Sequence, residues 1–76
     1  MNFKQFVEID RSPVTAYFLL VKTGNMWGVY LEDPLGETKF LFNKMASFSS
    51  IMNELSAWAE SNHYDSFNYR IKNGIN

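Results

Sequence analysis

Residues 47–62, SFSSIMNELSAWAESN, decide how this chain must fold. Phe48, Ile51, Met52, Leu55, Trp58 and Ala59 recur at helical spacing and form one apolar stripe. Ser49, Ser50, Asn53, Glu54, Ser56 and Glu60 fall on the other face. Ser47 is the expected N-cap, because its hydroxyl can accept a backbone N–H of the first turn; Asn43 offers an earlier start. A striped helix must bury its stripe, and the rest of the chain carries the patterns of strands and turns. The expected fold class is therefore α+β: an antiparallel sheet of four to five strands with one amphipathic helix packed on one face. A length of 76 residues corresponds to a single domain, 1–76.

Working outward, residues 3–9 have the pattern of a first strand and 14–22 of a second, apolar on both faces as a central strand is. Residues 26–32 and 37–42 make the third and fourth, and 67–72 a fifth, beyond the helix. Asp10-Arg11-Ser12-Pro13, Gly24-Asn25 and Asp33-Pro34-Leu35-Gly36 supply the turns. With Gly24-Asn25 as a two-residue loop, Lys22 faces Trp27, Leu20 faces Val29 and Phe18 faces Leu31. Carried through the other turns, this register sets Val29 against Phe40 and Trp27 against Phe42, and Ile9 against Val14. Residues directly opposite share a face. One face then holds Phe3, Val7, Ile9, Val14, Ala16, Phe18, Leu20, Trp27, Val29, Leu31, Phe40 and Phe42, and it should receive the helix. The first four strands form a meander. The fifth should run antiparallel to the first and lie beside it, or lie parallel beside the fourth. The final residues, 73–76, are expected to fray.

The net charge is −1, with the basic residues scattered, so nothing predicts strong attraction to nucleic acid or an anionic membrane. There is no cysteine, hence no disulfide framework and no cysteine metal site. The longest apolar run, 16–21, is too short to span a bilayer. MNFKQFVEID lacks a signal-peptide core, and the chain has the look of a complete small cytoplasmic protein.

The face away from the helix is the informative one for function. It is expected to carry Phe6, Tyr17, Leu19, Val21, Met26, Tyr30 and Leu41, bordered by Lys4, Glu8, Lys39, Arg70 and Lys72. One helix cannot cover two faces, and an open apolar patch marks an interaction site more often than an idle surface. The bland alternative is that these are ordinary half-exposed residues of a small sheet. A second candidate is the acidic tip of Glu32, Asp33 and Glu37 at the turn after the third strand. His63, the one histidine, could be a general base or share a metal with Asp65. We read it instead as a polar residue of the helix-to-strand connection, with no ligand cluster beside it. The serines sit in no nucleophile-elbow pattern, and the glycines are isolated; Gly28, inside a strand, suggests a bulge or a close approach. No catalytic residue, metal or cofactor is assigned.

The stretch WGVYLEDPLG, Trp27 to Gly36, followed by a strand and a helix, is similar to the arm-type DNA-binding domain of phage integrases. The resemblance implies a three-stranded sheet entering a DNA groove. It covers under half the chain, and Glu37 stands where that family usually carries a basic residue. More broadly, a short chain without cysteine or catalytic motif resembles the small inhibitors that phages and mobile elements direct at host machinery, anti-CRISPR proteins included. The leading expectation is a non-enzymatic module that binds another protein or a second copy of itself. The alternative is a nucleic-acid binder, with bases stacked on the aromatic sheet face and Lys4, Lys39, Arg70 and Lys72 on phosphates.

Overall fold

A computed structural model describes residues 14–74 of the chain. The elements are β1 (Thr15–Thr23), β2 (Met26–Glu32), β3 (Thr38–Met45), α1 (Phe48–Ser61) and β4 (Ser66–Asn73). The fold is α+β, with a four-stranded mixed sheet in the order β3-β2-β1-β4. β1, β2 and β3 form an antiparallel meander, and β4 lies parallel to β1. The sheet is therefore not fully antiparallel as expected. The helix returns the chain to the end where β1 begins, so β4 has the direction foreseen for it. Its neighbour differs: β4 takes the edge of β1 that the sequence pattern had given to residues 3–9. Those residues, Lys4 and Phe6 among them, lie outside the described part.

Two corners secure β4. At its start, the Val14 N–H donates to Asp65 Oδ2 at 2.8 Å, and the Asp65 N–H returns a bond to the Val14 carbonyl at 2.8 Å. Beyond its end, the Gly74 N–H donates to the Lys22 carbonyl at 2.7 Å, so the expected fraying does not begin at 73 or 74. A side chain at Gly74 would run into Thr23 Oγ1, with the Lys22 carbonyl oxygen close behind, so a larger residue would have to displace the Thr23 side chain.

The first hairpin has the register read from the sequence: Lys22 faces Trp27, Leu20 faces Val29 and Phe18 faces Leu31. Gly24 takes φ of 60° in the two-residue loop. The second hairpin differs. Its loop holds five residues, because Asp33 Oδ1 accepts from the N–H groups of both Leu35 (3.0 Å) and Glu37 (2.8 Å), while Gly36 turns at φ of 86°. Glu32 thus faces Thr38, and Tyr30 faces Phe40. A bulge follows, with Leu41 as the extra residue, and Val29 then faces Phe42 rather than Phe40. Trp27 faces Lys44 rather than Phe42.

The helix begins as expected. Ser47 is the N-cap, and its Oγ accepts the Ser50 N–H at 3.2 Å. At the other end His63 adopts φ of 66°; its N–H reaches the Glu60 carbonyl (3.1 Å), and the Tyr64 N–H reaches the Ala59 carbonyl (2.9 Å). These two bonds define a Schellman cap with histidine in the left-handed position. The Tyr64 ring stacks on Trp58 with centroids 5.8 Å apart, the apolar contact that accompanies such caps.

The core lies between α1 and one sheet face. Ile51, Leu55 and Ala59 of the helix are buried with Ala16, Phe18 and Leu20 of β1 and Trp27 and Val29 of β2. Phe18 meets the edges of Trp58 (5.6 Å) and Phe67 (5.8 Å). Trp27 satisfies its indole N–H on the Ala46 carbonyl at 3.1 Å, fixing the turn into the helix.

Candidate functional site

The register assigns the sheet face opposite α1 row by row. Across the order β3, β2, β1, β4, one row reads Thr38, Glu32, Tyr17, Asn68. The next reads Phe40, Tyr30, Leu19, Arg70, and the third Asn43, Gly28, Val21, Lys72. Met45, Met26 and Thr23 close the hairpin end. Among the described residues no element lies over this face. Tyr17 and Phe40 are each 53% exposed, Met45 65% and Met26 37%. Leu19, Val21 and Tyr30 are half-buried in the rows between them.

The polar groups of the face are arranged as well. Arg70 of β4 reaches across β1 to Glu32 of β2, with Nε to Oε2 at 3.0 Å and Nη2 to Oε1 at 3.3 Å. This two-bond fork is the geometry that holds a guanidinium on a carboxylate. The pair bridges three strands and crosses the ridge of β1 beside Tyr17 and Leu19. Beside it an open hollow of about 430 Å³, lined by Tyr17, Phe18, Glu32, Asp33, Pro34, Asn68, Tyr69 and Arg70, takes in residues of both sheet faces. A second hollow of about 440 Å³ lies against Leu19, Val21, Tyr30, Thr38 and Lys72. Tyr30 and Phe40 meet edge to face at 5.5 Å. A Cβ on Gly28 would stand 3.5 Å from the Tyr30 ring, an ordinary contact, so the ring partly covers the gap left by the glycine.

Of the residues expected here from the sequence, Tyr17, Leu19, Val21, Met26 and Tyr30 are brought together. Arg70 and Lys72 share their face. Leu41 is not part of it: as the bulge residue it packs against the core. Phe40, expected in the core, is on the open face instead. Lys39 pairs with Leu31 and so belongs to the helix side. The cause is the extra loop residue, which reverses the facing of every residue between the loop and the bulge. The bulge does not fall at Gly28, where an isolated strand glycine had suggested one. Phe40 and Met45 are the residues that sequence reasoning missed. Asp33 was the available signal for Phe40, since an aspartate that accepts two backbone N–H groups favours a longer loop.

The acidic tip does not offer three free carboxylates. Glu32 is joined to Arg70, and Asp33 is turned inward onto the loop backbone. Glu37 is exposed. His63 is exposed at the helix cap, as a connection residue. Among the described residues no helix is long and apolar enough to cross a membrane. No protein-family model, curated protein or solved structure matches the chain.

Proposed function

We propose that this chain is a non-enzymatic binding protein that docks another protein on its open sheet face. The observation behind the reading is that α1 covers one side of the sheet while the other displays Tyr17, Met26, Phe40 and Met45 to solvent. Tyrosine, phenylalanine, methionine and arginine are the residue types enriched in the centres of protein interfaces. The Arg70–Glu32 fork adds a neutral polar contact that crosses β1, already paired and so cheaper to cover than a lone charge. Such a module acts by occupancy, covering a surface its partner needs, in the manner of a small phage or mobile-element inhibitor of a host protein.

Nucleic acid is the weaker occupant. Lys39 is on the helix side and the Arg70 guanidinium is engaged by Glu32; Lys72, the other basic residue of the face, stands in a row with Val21, Gly28 and Asn43. The test is to isolate the partner with the full-length protein as bait and to measure its affinity by calorimetry. Tyr17→Ala should weaken binding by about 2 kcal/mol, as at a hot spot, while Lys39→Ala leaves it unchanged. Wild-type affinity in a folded Tyr17→Ala protein would remove the open face from consideration. A steep fall of affinity with salt would put the nucleic-acid reading first.

A further inference from the structure

We infer that the open face also takes a second copy of this chain, stacked face to face about a two-fold axis that runs along the strands between β1 and β2. The inference rests on the open-face reading above and names a partner for it.

Area is the first argument. Large side chains present about 150–250 Å² each, so the exposed parts of this face come to on the order of 700 Å². Two copies would bury about 1,400 Å², inside the range of about 1,200–2,000 Å² for stable interfaces.

Charge and shape choose the axis. The basic side chains, Arg70 and Lys72, both stand on β4 at one edge of the sheet, whereas the opposite edge, β3, carries Phe40, Asn43 and Met45. An axis across the strands would set β4 over its own copy and bring the two Lys72 ammonium groups together, each Arg70 being already joined to Glu32. An axis along the strands sets β4 over the partner's β3. Arg70 then lies over an aromatic ring, a favourable pairing of cation and ring face, and Lys72 lies over an amide. The same rotation lays Leu19 over Tyr30 and brings Val21 over Gly28, where the edge of the Tyr30 ring partly fills the space a side chain would take. Two of these four-stranded sheets packed this way form an aligned sandwich.

Sedimentation equilibrium on the full-length protein decides the matter. A dimer of twice the 8.9 kDa chain mass is expected. Leu19→Glu and Phe40→Glu should each weaken dimerisation at least tenfold while circular dichroism stays native, and Lys39→Glu should not; Phe40 is exposed enough that its variant folds even where the Leu19 variant does not. The chain has no cysteine, so single cysteines report the axis. A short bis-maleimide should join Lys72→Cys protein to Asn43→Cys protein in a mixture, and should not join Lys72→Cys protein to itself. A monomer at every concentration overturns the inference, as does a dimer indifferent to both glutamate variants; self-linking of Lys72→Cys protein overturns the axis. If the protein is monomeric yet Tyr17→Ala loses a different protein partner, the second-copy inference falls and the open-face reading stands.

Discussion

Replacing His63 with glycine should make the protein more stable. His63 holds φ of 66°, the left-handed region, at the cap of α1. An L-residue there costs roughly 1–2 kcal/mol from the clash of Cβ with its own carbonyl, and glycine does not incur it. Against this, glycine loses about 0.5–1 kcal/mol more chain entropy on folding. The net expectation for His63→Gly is a gain of about 0.5–1 kcal/mol. The cap hydrogen bonds involve only backbone atoms of residue 63 and its neighbours, so they survive the change. His63→Val should go the other way by about 1 kcal/mol, because a β-branched residue is least tolerant of positive φ. In a domain this small, 1 kcal/mol moves the melting temperature by about 4–8 °C, well within reach of thermal melts followed by circular dichroism. The two variants should therefore bracket the wild type. If the glycine variant melts at or below wild type, or the valine variant melts with it, the helix does not end in a left-handed cap and the backbone account of His63 is wrong.

The remaining predictions concern the core and the β4 corner. Leu55→Ala should cost about 2–5 kcal/mol, as a fully buried leucine truncated against Phe18 and Val29 does, whereas Glu54→Ala on the same helix should cost under about 1 kcal/mol; urea melts of the two compare them directly. Gly74→Ala should destabilise by about 1–3 kcal/mol, since its methyl group would displace Thr23 and weaken the bond to the Lys22 carbonyl; hydrogen exchange should show the loss first at the end of β4.

The helix and the first hairpin were legible in the sequence because each is governed by local chemistry. Ser47 as cap, the stripe through Ile51, Leu55 and Ala59, and the Gly24-Asn25 loop all follow from spacing within a few residues. The second hairpin was legible only in part. One extra residue in the Asp33 loop and another at Leu41 shift the register twice, and the two shifts restore parity, so Phe42 keeps its core position while Phe40 changes sides. The hydropathy pattern favours an unbroken strand, since alternation puts Phe40 and Phe42 on one face, and nothing in it marks Leu41 as an extra residue. The neighbour of β4 was not legible at all. Alternation assigns Phe67, Tyr69 and Ile71 to one face whichever edge the strand joins, and the choice is made by contacts distant in sequence. For the open face, five of seven expected side chains share one surface because β1 and β2 lie before the first shift.

The position of β4 has a kinetic consequence. β1 is paired on one side through a loop of two residues, but on the other side by a strand whose anchor, Asp65, is 51 positions from Val14. The meander is a local structure and forms early; the β1–β4 ladder waits for distant chain to close a long loop. Among the described residues, Thr15–Thr23 has one edge without a partner strand until Ser66–Asn73 docks. An apolar strand with an open edge is the place where unfinished chains add to one another. A chain that ends ahead of Ser66 thus lacks the strand that covers this edge, and the interval before β4 docks is the vulnerable one.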